Sequence, residues 1–208
     1  MEKIIEGLRS FVRTMPASER SLYQRLATGQ EPDALFITCS DSRVSPNRIT
    51  QASPGELFIL RNVGNLVPPY GPSHAGPAAA VEYAIEALGV DDLIVCGHED
   101  CGAMKALVEP KGLEGLPAVR DWLEHARLTR ELVRSQFGDR SFEEQLRAAI
   151  EINVLLQLEN LRSHPSVARA LAEGRLGLHG WVFEIESGHV RAFCSEEKGF
   201  RSLSAEPC

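Results

Sequence analysis

The sequence predicts an open α/β fold: a central, mostly parallel sheet of strand order 2-1-3-4 with a C-terminal antiparallel fifth strand, flanked by helices and preceded by an N-terminal helical arm. Short apolar runs rich in β-branched and aromatic residues, at 34–39, 56–61 and 92–97, read as buried strands separated by segments of helical periodicity. Such alternation builds parallel sheets with right-handed crossovers. Further along, two strand-like runs flank Ser187-Gly188, a hairpin signal, so the last strand runs antiparallel.

Two helices open the chain, at 2–13 and 19–27, the second capped by Ser18 and stopped near Gly29. The run A-L-F-I-T-C forms the first strand and delivers Cys39 at its end. Ser45-Pro46 pairs an N-cap with a first-turn proline and starts a short helix to Gln51; E-L-F-I-L-R is the second strand. A helix at 77–88 closes at Gly89, D-L-I-V-C-G is the third strand, and His98 follows it directly. Cys101 to about residue 107 begins the next helix, and long helical patterns cover 117–136 and 142–161, with Ser141 and Glu144 as a capping box. A short helix at 166–172 ends at Gly174; H-G-W-V-F-E-I-E and H-V-R-A-F-C are the last two strands. The segment 64–76, rich in Pro and Gly, reads as irregular. All of this makes one domain over 1–208: the arm at 1–28, the α/β core at 33–110, and helices with C-terminal strands at 115–208.

The 208 residues carry a formal charge of −7, and no basic patch suits nucleic acid or an anionic membrane. No apolar run approaches the roughly 20 residues of a membrane span. The first residues scatter charges through an amphipathic pattern unlike a secretory signal, and five cysteines show no compact disulfide framework. A cytoplasmic, reducing compartment is therefore expected.

His98 and Cys101 share one turn, and Cys39 ends an earlier strand. Ligands bind beyond the carboxyl ends of strands where the strand order reverses, so neighbouring first and third strands would bring these three side chains together. Two thiols and an imidazole hold zinc with its fourth position free, the ligand count of a catalytic rather than a closed structural site. Cys101 at a helix start is expected to have a lowered thiol pKa, and Gly102 to allow close backbone approach. Two thiolates offset the charge of Zn²⁺, which places the expected activity optimum on the alkaline side of neutrality. Asp41 and Arg43, beside Cys39, are candidates for controlling the open position.

Taken together, C-S-D-S-R-V, R-N-V-G-N-L-V-P-P-Y and G-H-E-D-C-G-A-M-K resemble the β-class carbonic anhydrases over almost the whole chain. The similarity is to the plant-like branch, and also to cyanobacterial carboxysomal members without their C-terminal extension, so no shell or scaffold partner is implied. The resemblance implies reversible hydration of CO2 to bicarbonate and a proton, one zinc per subunit on Cys39, His98 and Cys101, and attack by zinc-bound hydroxide. It implies that Asp41 accepts a hydrogen bond from that water or hydroxide while Arg43 fixes the carboxylate and keeps it ionised. It further implies substrate contacts from Gln30, Phe58, Val63, Tyr83 and the Gly102 backbone. Gln30, Phe58 and Tyr83 would come from the facing subunit, making a homodimer, or a higher oligomer of dimers, the working unit.

Some plant relatives carry a histidine four positions after this tyrosine; here that position is Ala87, which leaves His74 as the best-placed proton relay. Cys96, Cys194 and Cys208 read as packing residues. Relatives that hydrolyse carbonyl sulfide or carbon disulfide share the same zinc motifs. A non-catalytic zinc-stabilised scaffold or bicarbonate sensor, with Asp41 closing the site as fourth ligand, is the contrasting reading.

Overall fold

In the computed structural model, which describes residues 1–71, 76–111 and 113–203, the chain divides into two units, Met1–Glu31 and Pro32–Cys208. The first unit holds α1 (Glu2–Thr14) and α2 (Ala17–Leu26). Apolar residues of α1 recur at helical spacing, yet Ile4, Leu8 and Val12 are 70%, 65% and 58% exposed. Helix α2 begins after Pro16 with no side-chain cap, so Ser18 is not its cap as the sequence suggests. The fixed φ of Pro16 and the bond from Arg20 N–H to Pro16 O set its first turn instead.

The second unit is built on six strands among the described residues: β1 (Ala34–Cys39), β2 (Leu57–Asn62), β3 (Asp92–His98), β4 (Gly177–Phe183), β5 (Val190–Cys194) and β6 (Gly199–Ser202). Their order is β2-β1-β3-β4-β5-β6, parallel through β4 and antiparallel beyond. The expected order and the antiparallel fifth strand are found, and β6 extends the sheet beyond them. Four residues with one aromatic carry too little alternation for sequence reading to detect β6.

Side-chain alternation on the strands splits the core. Leu35, Ile37, Leu93 and Val95 face the large helical core, whereas Phe36, Ile94 and Cys96 form a smaller cluster with Trp181 and Phe183. The helices are α3 (Pro46–Thr50), α4 (Gly76–Glu86), α5 (Gly102–Val108), α6 (Pro117–Leu123), α7 (Arg127–Phe137), α8 (Phe142–Arg162) and α9 (Pro165–Ala172). The single helix expected over 117–136 is instead α6 and α7 joined by a 3-10 turn at Glu124–Ala126. Buried Ala126 leaves helical geometry at φ −104° and ψ 18°, redirecting the chain while Leu123 and Val133 both stay in the core.

Helix α8 starts with the expected capping box, Ser141 Oγ accepting from Glu144 N–H and Glu144 accepting from Ser141 N–H. It lies close on β3 because Gly97 has no side chain: a Cβ there would sit 2.9 Å from Val154 Cγ2. No helix among the described residues is long and apolar enough to cross a membrane.

Candidate metal centre

β1 and β3 lie side by side and parallel, with Thr38 opposite Cys96, so Cys39 and His98 emerge at the same end of the sheet. Thr38 Oγ1 donates to Cys96 O across the pair at 2.8 Å. This is the point where strand order reverses, because β2 lies outside β1 and β4 outside β3. Cys101, immediately before α5, completes the cluster: the ligand atoms of Cys39, His98 and Cys101 all lie within 4.8 Å of one another, and all three residues are buried.

The protonation pattern suits a metal. His98 Nδ1 lies 2.7 Å from Glu99 O, which can only accept, so Nδ1 carries the proton and Nε2 presents a lone pair. His98 Nε2 is a buried atom without a hydrogen-bond partner, shared in this among the described residues only by Asn65 Nδ2. The Cys39 thiol is pulled from its ordinary 9.0 to about 4 by the hydrogen bond from Cys101, with the Gly64 N–H assisting against burial. Cys101 moves the opposite way, because its hydrogen bond to Cys39, burial and the Cys39 charge outweigh the backbone N–H groups of Met104 and Ala103. The lowered pKa expected from its helix position is thus reversed. A thiolate, a thiol and an imidazole lone pair converging on one point form a soft N/S donor set of the kind zinc prefers.

Asp41 and Arg43 stand beside this cluster. Arg43 donates its backbone N–H and Nε–H to Asp41 Oδ1 at 2.9 and 3.0 Å, and Nη2–H to Oδ2 at 2.8 Å. These bonds hold the carboxyl well below the usual carboxylate range. Asp41 Oδ2 lies 3.8 Å from His98 Nε2.

Sequence reasoning missed the groups that support this pair. Asp100 accepts from Arg43 Nη1 at 2.9 Å, offers its backbone oxygen to Nη2 at 3.3 Å, and pairs with Lys105. Its left-handed backbone, φ 57°, lets side chain and carbonyl face the guanidinium together. Arg61 donates to the backbone oxygens of Cys39 and Asp41 at 3.1 and 2.7 Å. The available signal was the placement of Asp100 between two candidate ligands.

The remaining predicted residues are placed as follows. Phe58 on β2 contacts Tyr83 on α4 with ring centroids 5.9 Å apart; Tyr83 is half exposed and Val63 exposed. Gly102 is exposed, and a Cβ added to it would meet nothing within 4 Å, so packing within the chain does not demand a glycine there. Gln30 is an exposed residue of the first unit. Cys96 and Cys194 are buried free thiols. His74 and Cys208 lie outside the described residues.

The segment after β2, read from sequence as irregular, is neither exposed nor loose over its first half. Residues 64–68 are buried, and side chains supply the hydrogen bonds that regular structure would otherwise provide. Gly64 adopts φ 82°, and its N–H lies 3.5 Å from Cys39 Sγ.

An open α/β sheet with Cys, His and Cys at its switch point and an Asp–Arg pair alongside defines a candidate metalloenzyme. The chain belongs to the β-class carbonic anhydrase family: the carbonic anhydrase family profile matches residues 34–190. A carbonic anhydrase of Pseudomonas aeruginosa is 50% identical over all of this chain and 94% of its own length. The β-carbonic anhydrase CcaA superposes with a TM-score of 0.94 at 45% identity, covering 97% of this chain and 98% of its own. Among more distant structures are two tetrameric β-carbonic anhydrases from Sordaria macrospora, for which the match has a TM-score of 0.83 at 26% identity and covers 92% of this chain and 95% of the other.

Proposed function

We propose that this protein hydrates CO2 reversibly, with Cys39, His98 and Cys101 holding one zinc ion. The observation that carries the reading is the convergence of those three ligand atoms within 4.8 Å, with the open lone pair of buried His98 Nε2 among them. Zinc in this site supplies Lewis acidity, which makes water a nucleophile near neutral pH.

The chain's own residues do the aligning. Ionised Asp41 is an acceptor beside the ligand cluster, so it takes a hydrogen bond from the attacking oxygen and aims the remaining lone pair at the CO2 carbon. Arg43 keeps that carboxylate ionised and oriented. Gly102, an exposed residue at the start of α5, would offer its backbone N–H to a substrate oxygen. Over the cycle one C–O bond forms, one O–H bond of water breaks, and the proton leaves to buffer. Asp41 is itself near enough to His98 Nε2 to compete for the metal, and the three bonds from Arg43 oppose that swing.

A homodimer fits the exposed apolar face of α1 and the partly exposed Phe58–Tyr83 pair. In that assembly the partner subunit's Gln30, the partner subunit's Phe58 and the partner subunit's Tyr83 complete the substrate pocket beside Val63. Light scattering on a sizing column reads the mass directly.

Stopped-flow CO2 hydration by zinc-replete protein tests the activity, with carbonyl sulfide and carbon disulfide as competing substrates. Asp41→Asn should retain zinc and lose most of the rate. A wild-type rate equal to that of buffer alone would sink the proposal.

A further inference from the structure

Two side chains outside the proposed active site hold the peptide groups on either side of Gly64. Trp122, at the end of α6, donates Nε1–H to Val63 O at 2.8 Å. Asn153, in the middle of α8, donates Nδ2–H to Gly64 O at 3.0 Å. The peptide joining Val63 to Gly64 is planar, so fixing its oxygen fixes the direction of its N–H, and that N–H lies 3.5 Å from Cys39 Sγ.

The orientation of the Asn153 amide is itself determined. Its Oδ1 accepts from Gln157 Nε2 at 3.0 Å and from Thr129 Oγ1 at 3.4 Å, which leaves the NH2 to face Gly64. Asn153 and Gln157 are each only 1% exposed, and Thr129 is fully buried. Polar groups in a core are costly unless fully bonded, and these are bonded to one another and to the loop. Gly64 is constrained from a third side: a Cβ would sit 3.1 Å from Ala103 Cβ, so the residue is seated against the first turn of α5.

We propose that Trp122 and Asn153 are positioning residues of the metal centre, holding the Gly64 N–H on Cys39 Sγ and so fixing that sulfur in place as a ligand. This rests on the zinc reading given above. Partners that orient ligands in this way are worth roughly 10–100-fold in metal affinity. Neither residue touches the ligand atoms, and their influence passes through the Gly64 backbone.

The test is zinc affinity by competition with a chelator for wild type, Trp122→Phe, Asn153→Ala and Ser163→Ala. Phe keeps a ring at 122 while removing the N–H. Ser163 Oγ accepts from Tyr70 N–H at 2.9 Å in the same loop but away from Gly64 and from the Asn153–Gln157 pair, so its variant controls for general loosening. Zinc Kd should rise about tenfold or more in the first two variants and stay within about twofold in the third.

Equal affinities in Trp122→Phe and wild type overturn the proposal, as does an equal loss in Ser163→Ala. A wild type that binds no zinc defeats the zinc reading instead. A second measurement needs no variant: in wild-type protein loaded with cadmium-113, the Gly64 amide proton should show scalar coupling to the metal through sulfur. Absence of that coupling in a spectrum with the Gly64 amide assigned also overturns the proposal.

Discussion

Replacing Arg43 separates its two effects on Asp41, charge and geometry. Arg43→Ala deletes the bonds from Nε and Nη2 at 3.0 and 2.8 Å and leaves Asp41 only the backbone N–H at 2.9 Å. Charge-assisted bonds contribute about 1.5–3 kcal/mol each when desolvated. The Arg43 side chain is 44% exposed and that of Asp41 16%, so solvent screening reduces the pair to about 1–2 kcal/mol in total. At about 1.4 kcal/mol per decade, kcat/KM for CO2 hydration should fall roughly 5- to 30-fold.

Arg43→Lys keeps the charge but loses the two-pronged geometry, and it should recover only part of the loss. Stopped-flow assays on protein with verified zinc content read both effects. If Arg43→Ala with full zinc runs within about twofold of wild type, Arg43 does not orient Asp41 for catalysis.

Gly64→Ala should destabilise by about 1–3 kcal/mol in urea titrations, because its φ of 82° strains any side chain and the added Cβ meets Ala103. Burial lowers the pKa of His164, whose Nε2 is 3.0 Å from Pro68 O. Because the folded value lies below the unfolded 6.5, this contribution is present above pH 6.5 and is lost as pH falls through the lowered value. His164→Asn should accordingly flatten the acid side of a stability–pH curve; an unchanged slope contradicts the assignment. Zinc binding would displace the Cys101 proton, and with two thiolates then offsetting the metal charge, kcat/KM should rise on the alkaline side of neutrality; a profile flat down to about pH 6 opposes the proposed ligand set.

The strand order and the meeting of Cys39 with His98 and Cys101 were legible because buried strands are short apolar runs and sites form beyond their carboxyl ends. Element ends and irregular segments were less so. Little local distinguishes the buried first half of the loop after β2 from an exposed Pro- and Gly-rich one: Asn62 ties Leu66 from four residues away, but other bonds come from residues some ninety positions on, such as Asn153 to Gly64 and Gln157 to Val67. The pattern I-N-V-L-L-Q did hold a clue: Asn153 and Gln157 lie one turn apart in an apolar stretch. Cys101 shows a different limit. A helix start argued for a low thiol pKa, but its neighbour Cys39 decides the matter, and that proximity exists only after folding.

The pairing of β1 with β3 joins segments far apart in sequence, Thr38 bonding a residue 58 positions away. Sliding one strand by a single residue would turn Cys39 toward the opposite face of the sheet. On the proposed ligand assignment, only the native register can bind zinc tightly, so the ion rewards correct strand pairing during folding. The zinc content of a preparation then sets a lower bound on the fraction of chains that paired these strands correctly.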